Sequence, residues 1–491
     1  MSLTVYTSTR PKMSTGTNII ICTTTTTGVF KYRFHCRIEY YIDGETATKV
    51  STFVQPKNSN GVGVFNLSEI YKSVVTPMIR THSLENYKTT TIPADIIPIH
   101  NLPIGKGDDQ YLFSRPFVND SSGFLTFQGQ CNRIDLTFNE MYSSTSGGIP
   151  TIQGTPVEEI NYVFYGRGER NDEPEKNYLT DFRLTSQTKK MLTNNYKKVG
   201  GEYIGYIGRN QRMTMTFANG HEANTSDTKY VKFIYYNSTD TQVSYLRCEN
   251  EDISGGKYGG VTGANNDERS LFLIIGAGLK NLNQVDTTQS SYLGFTPDAA
   301  ESATGDTIAY YTIHVENTSQ AIISETYKFI LTTPCDRYEE TRLAYMNRYG
   351  CWEYINLNKE RKDTLKVKRD TITKPIVNTE IPLNTLLEAT VTNTYAEDMP
   401  HQGVMPVNIQ VEEELSLFTQ NLDDSELSRI QELIMSPQIH MCVNDADGEN
   451  TDSWVALICK TNKIDRKQKG VSKLYNYELK FSFADPKYRT I

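Results

Sequence analysis

The feature that most constrains the fold is KYRFHCRIEYYI, residues 31–42, in which apolar and polar side chains alternate without a break. Successive side chains of a strand point to opposite faces, so an unbroken period of two predicts a long strand with one buried face. The following Asp43-Gly44 is typical of a hairpin turn and predicts a second, returning strand. The predicted buried face carries Tyr32, Phe34, Cys36, Ile38, Tyr40 and Ile42.

The composition indicates that such strands dominate the chain. Tyr is unusually frequent at 31 residues against 19 Phe, although the hydrophobic fraction is only 37%. Aromatic and β-branched residues suit a pleated sheet with one polar face. Short alternating segments recur at the spacing of β-sandwiches. We therefore expect a mainly β protein with several β-sandwich (immunoglobulin- or fibronectin-like) modules in tandem, followed by a C-terminal α+β region containing one short helix.

Composition and spacing divide the 491 residues into four predicted regions. Residues 1–90 are predicted to form an N-terminal β-sandwich with a short helix in NLSEIYKSVV. Residues 91–198 begin with the proline-rich TIPADIIPIHNLPIG and are predicted to form a connector and an additional β region. Residues 199–335 form the second predicted β-sandwich. Residues 336–491 form the predicted α+β assembly region, whose helix DDSELSRIQELIMSP is predicted to be capped by Asp424 or Ser425.

The charge balance argues against nucleic-acid binding, because 50 basic and 58 acidic residues leave a net charge of −8. The longest clean apolar run, LFLII, is far shorter than the roughly 20 residues of a membrane helix. The N-terminal stretch has no apolar core of a secretory signal. We expect synthesis in the cytosol with reduced thiols, no membrane segment and no direct contact with nucleic acid.

Two patterns could carry chemistry, and each has a simpler interpretation. Asp445, Asp447 and Asp452 in NDADGENTD offer oxygen ligands for calcium, but their spacing lacks the complete calcium loop, and Asp-Gly between strands favours a hairpin turn. Cys335 and Cys351 could meet in space, but no His lies near either in sequence, so a core or edge role is favoured over a metal or redox role. No phosphate-binding GxxxxGK and no GxSxG occurs. We expect no catalytic residues, no cofactor and no enzymatic activity.

The segment RLAYMNRYGCWEYINL, residues 342–357, concentrates aromatic residues around one glycine. It is predicted to form a turn and strand that join the second β module to the C-terminal region. The chain has only two tryptophans, one of them in this segment. The residues assigned to structural or interface roles are Leu343, Asn347, Gly350, Trp352, Tyr354 and the second tryptophan, Trp454.

This segment resembles a pattern found in virion proteins of tailed bacteriophages, including phages of Bacteroidetes, marine phages and crAss-like phages. Four further stretches resemble the same family in the same order, and together they span most of the chain. They are FKYRFHCRIEYYIDG with QPKNSNGVGVFNLSEI, YLTDFRLTSQTKKMLTNN with EYIGYIG, YYTIHVEN with SETYKFILTTPCDRYE, and the C-terminal DDSELSRIQELIMSPQIHM to KLYNYELKFSFA. One departure is Cys351, where the family pattern has a small residue, usually glycine.

The resemblance implies a structural component of a tailed phage particle that is made in the host cytoplasm and acts by oligomeric assembly. The expected position is the tail, as a baseplate, hub, adaptor or fibre-attachment protein. The expected partners are other phage structural proteins and further copies of this chain in a symmetric or ring-like arrangement. Two alternatives stay open, a head-associated decoration or head-fibre protein and a carbohydrate-binding or depolymerising tail protein.

Overall fold

The computed structural model of the protein describes residues 3–7, 19–41, 48–75, 80–82, 96–98, 100, 113–114, 131–167, 182, 184, 186–193, 196–218, 230–249, 272–285, 287–288, 292–333, 340–373, 404–419, 422–444, 453–464 and 476–484. Within these ranges the chain is mainly β, as its sequence predicts, with strands far outnumbering helices. None of the helices in these ranges has the length and apolarity needed to cross a membrane.

The strands of the described residues fall in every part of the chain. In chain order they are β1 (Leu3–Thr7), β2 (Ile19–Thr24), β3 (Phe30–Tyr41), β4 (Thr48–Pro56), β5 (Val62–Asn66), β6 (Arg80–His82), β7 (Ile96–Pro98), β8 (Phe113–Ser114), β9 (Cys131–Ser143), β10 (Thr151–Phe164), β11 (Lys197–Val199), β12 (Glu202–Gly208), β13 (Thr214–Ala218), β14 (Tyr230–Tyr236), β15 (Gln242–Glu249), β16 (Phe272–Gly276), β17 (Tyr292–Gly294), β18 (Tyr310–Glu316), β19 (Tyr327–Thr332), β20 (Thr341–Met346), β21 (Trp352–Leu357), β22 (Arg361–Thr373), β23 (Val404–Phe418), β24 (Ile439–Asn444), β25 (Ser453–Cys459) and β26 (Glu478–Phe483). The helices are α1 (Ser68–Val74), α2 (Leu279–Leu282), α3 (Pro297–Thr304) and α4 (Asp424–Ile434).

Two sheets and α1 surround the N-terminal core. The sheets have the strand orders β1-β2-β5 and β10-β9-β3-β4. Burial alternates along β3 as predicted, and the predicted Ile42 lies outside the described residues. β3 pairs with β4 and also with β9, which comes from the region predicted as a connector and additional β region. The core includes Ile20, Cys22, Tyr32, Phe34, Cys36, Ile38, Phe65, Leu67, Tyr71, Ile134, Leu136 and Phe138.

The central core lies against a seven-stranded sheet of order β11-β12-β19-β18-β14-β15-β17 and a three-stranded sheet of order β13-β16-β8. Most neighbours in these sheets are antiparallel, but β12 and β19 run parallel. Burying each large apolar side chain of this core stabilises the fold by about 1.5–3 kcal/mol. The residues at its centre include Met213, Met215, Phe217, Val231, Phe233, Tyr235, Tyr311, Ile313, Tyr327 and Phe329.

The C-terminal core lies between α4 and a second seven-stranded sheet, whose order is β21-β20-β24-β25-β26-β23-β22. The helix was predicted from its apolar stripe, and its Leu427, Ile430 and Leu433 are buried. Its predicted cap, Asp424 or Ser425, was wrong, because Asp423 caps the helix. The Oδ1 atom of Asp423 accepts a hydrogen bond from the backbone N–H of Glu426 at 3.0 Å, and the Glu426 carboxylate accepts one from the backbone N–H of Asp423 at 2.9 Å. The core includes Leu343, Tyr345, Leu415, Leu417, Leu427, Ile430, Leu433, Leu479 and Phe481.

Two of the sheets join strands from different predicted regions, because β3 pairs with β9 and β8 pairs with β16. The four regional boundaries inferred from composition stay a prediction.

Candidate functional site

The hairpin formed by β20 and β21 is buried on both of its faces. All six residues of β20 and five of the six residues of β21 are buried. Side chains alternate between the two cores, so Leu343 packs in the C-terminal core while Trp352 and Tyr354 pack in the central core. The two strands are thus covered on both faces, although β21 is the last described strand at its edge of the sheet. The segment predicted to join two modules therefore lies between two hydrophobic cores.

Asn347 organises the turn of this hairpin through both ends of its amide. Its Oδ1 atom accepts hydrogen bonds from the backbone N–H groups of Tyr349 and Cys351, each at 2.9 Å. Its Nδ2 atom donates to Glu353 Oε1 at 2.9 Å and to the carbonyl of Leu192 at 3.3 Å. Short polar side chains that bond to nearby backbone favour turns of this kind. Asn347 thus fixes the turn and ties it to another part of the chain.

Gly350 lies in the same turn and is constrained twice. Its φ angle of 74° lies in the left-handed region, which residues other than glycine adopt at a cost in free energy. A Cβ atom at this position would also lie 1.9 Å from the carbonyl oxygen of Tyr165. Gly166 is also closely approached, because a Cβ atom there would lie 2.7 Å from the carbonyl oxygen of Arg348. Two glycines therefore allow the hairpin turn to contact the backbone that follows β10.

A cluster of aromatic and imidazole rings lies on the central-core side of the hairpin. The His100 ring has its centre 4.6 Å from that of Trp352 and 4.2 Å from that of Trp454. His440 of β24 adds a ring 4.7 Å from Trp352. Trp352 and Trp454, which were both predicted to have structural or interface roles, are thus brought together. A histidine from the proline-rich segment lies between them. We call His100, Trp352, Tyr354, His440 and Trp454 the ring cluster.

Hydrogen bonds connect the polar atoms of the ring cluster into a chain. The Thr214 hydroxyl lies 2.9 Å from the Tyr354 hydroxyl, which lies 2.8 Å from His100 Nδ1. His100 Nε2 lies 3.0 Å from His440 Nδ1. A consistent set of donors runs along this chain in either direction while both imidazoles stay neutral. The chain therefore satisfies buried polar atoms without a buried charge on either histidine.

Burial and neighbouring charge keep these histidines neutral. Burial holds the pKa of His100 well below its usual value, and the neighbouring His440 and the Arg342 guanidinium lower it further. Burial lowers the pKa of His440 to about 4. The Asn281 side chain donates to the His100 carbonyl at 3.3 Å and holds its backbone in place. Neutral imidazole rings that bond to one another in this way are suited to joining segments of a core.

Arg342 is a buried cation at the start of the hairpin. It donates to Gln211 Oε1 at 2.5 Å, to Asn356 Oδ1 at 2.7 Å and to the Arg212 carbonyl at 2.6 Å. Its guanidinium carbon lies 5.0 Å from the centre of the Tyr354 ring. Burial lowers the pKa of Arg342, while the neighbouring Tyr354 and Glu340 act in the opposite direction. These bonds join β20 and β21 to the segment between β12 and β13.

The sequence did not identify His100, Arg342 or His440 as parts of this arrangement. His100 and His440 are 340 residues apart, and no local pattern could bring them together. Cys351 is buried beside Asn347, whereas Cys335 lies outside the described residues. The calcium candidates Asp445, Asp447 and Asp452 lie outside them too. Among the described residues, no group of three or more His, Cys, Asp or Glu side chains is arranged to hold a metal ion.

A long two-stranded ribbon formed by β22 and β23 extends the C-terminal sheet. β23 is held by β26 only over Glu414–Phe418, while β22 pairs with β23 along the length of both strands. Residues 365–373 and 404–413 therefore pair only with each other among the described strands. Twelve of the 13 residues of β22 are exposed, including Leu365 at 55%. We call these two stretches, 365–373 and 404–413, the free ribbon.

One face of the free ribbon continues the face that lines the C-terminal core. Leu415 and Leu417 of β23 are buried in that core. Because side chains alternate along a strand, the same face carries Val411 and Ile409 further along β23. Leu365 and Val367 lie on this face of β22, opposite Glu413 and Val411 in the register. A mainly apolar stripe, interrupted by Glu413, thus leaves the core and runs out along the ribbon.

Charge differs between the two strands of the ribbon. β22 carries five basic and two acidic residues, a net charge of +3, whereas β23 carries three glutamates and no basic residue. Lys366 forms an ion pair with Glu414, and Lys460 lies 3.6 Å from Glu412. The ribbon consequently has one basic edge and one acidic edge.

No family model matches this sequence, and no curated protein matches it.

Proposed function

We propose that the chain is a structural component of a tailed phage particle that acts by oligomeric assembly and not by catalysis. The position we propose is the tail, as a baseplate, hub, adaptor or fibre-attachment protein. The resemblance of five motifs in the same order, spanning most of the chain, supports a virion role. The partners we propose are other structural proteins of the particle and further copies of this chain.

The observation that carries the assembly role is the free ribbon. A two-stranded ribbon with apolar side chains exposed has little stability of its own in water. Here Leu365 and Val404 are each 55% exposed, and Ile372 is 49% exposed. Exposed apolar surface next to open strand edges is typical of a site that another chain covers. A ribbon of this kind supports a subunit whose structure is completed by its neighbours.

The organisation of the rest of the chain supports a structural role as well. Polar groups buried near the hairpin bond to one another and join distant segments, as the chain from Thr214 to His440 does. We also propose that the sheets form tandem β-sandwich modules. The two N-terminal sheets that enclose one core support this part of the proposal.

Immunogold labelling of purified particles tests the proposed function. Antibodies raised against the chain are applied to particles of the phage that encodes it, and mass spectrometry of the same particles checks for its peptides. We expect label at the tail. Label confined to the capsid would instead assign the chain to the head. Absence of both label and peptides from intact particles, while the antibody detects the chain in infected cells, would overturn the proposal.

A further inference from the structure

The open edges of the free ribbon carry opposite charges, and this determines which edges can meet. β22 is the last strand of its sheet among the described residues, so no described strand pairs with its outer edge along its 13 residues. The outer edge of β23 is open from 404 to 413, where no described strand pairs with it. Glu412 and Glu413 lie in that open stretch, next to the point where β26 begins to pair.

Pairing between two identical edges places like charges side by side. Two β22 edges would each bring a net charge of +3, and two open β23 edges would each bring Glu412 and Glu413. Like charges opposite each other destabilise a strand pair, and opposite charges stabilise it. Only the pairing of a β22 edge with a β23 edge brings a basic strand against an acidic one.

Three charged side chains of the ribbon lie opposite uncharged residues of the paired strand. Lys368 and Arg369 lie opposite Gln410 and Ile409 in the register, and Glu413 lies opposite Leu365. Among the described residues, none of these three charged side chains forms an ion pair. Arg369 and Glu413 also lie on the same face of the ribbon, because both follow the alternation that includes Val367 and Val411. A second ribbon placed beside the first would bring such residues together.

Features of the edges also discourage other pairings. The register between β22 and β23 shifts near Asp370, and Pro406 lies at the far end of β23. Bulges, proline and lysine at a sheet edge prevent indiscriminate pairing. Pairing is therefore confined to the stretch around Asn408–Glu413 and to an edge of opposite charge.

We propose that the partner of the ribbon is a second copy of this chain, with β22 of one copy pairing with β23 of the next. The two edges used are different, so the contact is heterologous, and successive contacts close into a ring when the rotation between copies allows it. The paired ribbons form a continuous antiparallel sheet with alternating basic and acidic strands. The apolar stripe of each ribbon then continues into that of its neighbour. This inference rests on the proposed assembly function and names the surface that would perform it.

Zero-length cross-linking of isotope-labelled copies tests this pairing. Full-length chains labelled with ¹⁴N and ¹⁵N are mixed in equal amounts, treated with a carbodiimide that joins lysines to carboxylates, and digested for mass spectrometry. We expect cross-links between residues 361–373 of one isotope and 404–418 of the other. Contacts within one chain give single-isotope pairs only. Mixed-isotope links between two β22 strands would overturn the proposal in favour of a twofold contact.

Charge reversal provides an independent test by sedimentation and native mass spectrometry. The variants K368E/R369E and E412K/E413K should each lose self-association by about 100-fold or more, because each places like charges across the contact. Mixing the two variants should restore association, since each supplies the edge that the other lacks. A control variant, R33E/K190E, reverses exposed basic residues outside the ribbon and should associate as the wild type does.

The outcomes separate this inference from the proposed function. An oligomer whose mixed-isotope cross-links lie only outside the ribbon, or one unaffected by either reversal, would overturn the ribbon pairing while leaving a virion role standing. Circular dichroism of each variant checks that the fold is retained, and recovery on mixing excludes misfolding as the cause of lost association. A chain that stays monomeric at every concentration and is absent from particles would overturn both.

Discussion

Gly350 is the position where a single added methyl group has the clearest expected effect. The change Gly350→Ala should lower the free energy of unfolding by more than the roughly 1–3 kcal/mol that a strained backbone position costs. The additional cost comes from the Tyr165 carbonyl oxygen, which lies 1.9 Å from the place of the new Cβ atom. Thermal and urea unfolding of the full chain measure the change.

Gly305 supplies a matched control for this prediction. Its φ angle of 76° is close to that of Gly350, but no atom lies within 4 Å of its ideal Cβ position. Gly305→Ala should therefore lower the free energy of unfolding only by the cost of the strained backbone conformation. Equal losses in the two variants would contradict the close contact between the hairpin turn and the segment after β10.

The buried histidines predict how stability depends on pH. His100 and His440 have folded-state pKa values below the ordinary value of 6.5, that of His440 being about 4. In the unfolded chain both bind protons as pH falls through about 6.5, so the unfolded state then binds more protons than the folded state. The free energy of unfolding should fall between pH 6.5 and about 4, by about 1.4 kcal/mol per pH unit for each proton taken up.

The variant His440→Gln isolates this contribution from that of other titrating groups. Urea midpoints are measured at pH 7, 6 and 5 for the variant and the wild type. The stability of the variant should change less steeply with pH, because one group that titrates on unfolding has been removed. Identical slopes would show that His440 does not titrate in this way.

At the level of residues, local pattern predicted burial well but could not predict long-range partners. The alternation in β3 correctly placed Phe34, Cys36 and Ile38 in a core. The segment from 342 to 357 was correctly expected to contain a turn and a strand. The partners of Trp352 could not be predicted, because His100 and Trp454 come from distant segments with no periodicity that links them.

At the level of elements, the N-terminus of α4 gives a direct comparison between sequence and structure. Asp423→Ala should cost about 0.5–2 kcal/mol, the usual loss when a side-chain cap is removed. The Asp423 carboxylate accepts the Glu426 backbone N–H, and the Glu426 side chain bonds back to Asp423. Denaturant unfolding of the full chain measures the loss.

Ser425→Ala is the matched control, since sequence pattern also favoured Ser425 as the cap. It should change stability by only a few tenths of a kcal/mol, because it removes no capping bond and Ser and Ala differ little in helix propensity. A larger loss from Ser425→Ala than from Asp423→Ala would restore the cap predicted from sequence. Asp423 also forms an ion pair with Lys197, so Lys197→Ala separates that contribution from the capping bond.

Strands and helices could be predicted more readily than the order in which the strands pair. Hairpins such as β3–β4 and β20–β21 follow from local turns. The pairing of β3 with β9 and the parallel pairing of β12 with β19 join segments that are far apart in the chain. Such pairings depend on which apolar faces must be buried together, and period-two alternation does not identify the neighbour.

On the scale of the whole molecule, buried and exposed strands lie at opposite edges of the C-terminal sheet. The hairpin β20–β21 is covered by cores on both faces, and bonds from Asn347 and Arg342 join it to distant segments. At the opposite edge of the same sheet, β22 is exposed along nearly its whole length. This is the distribution expected of a subunit that is firmly held inside and completed by neighbours at one edge. Permanent interfaces of that kind often bury 2,000 Å² or more.

A density map of the intact phage particle, with this chain placed in it, is the most direct test of the account. We expect the chain to occupy repeated, symmetry-related positions in the tail, with β22 of each copy lying beside β23 of the next. The result that would contradict it is a particle in which no density fits the chain, or one in which the chain is present and its ribbon contacts nothing.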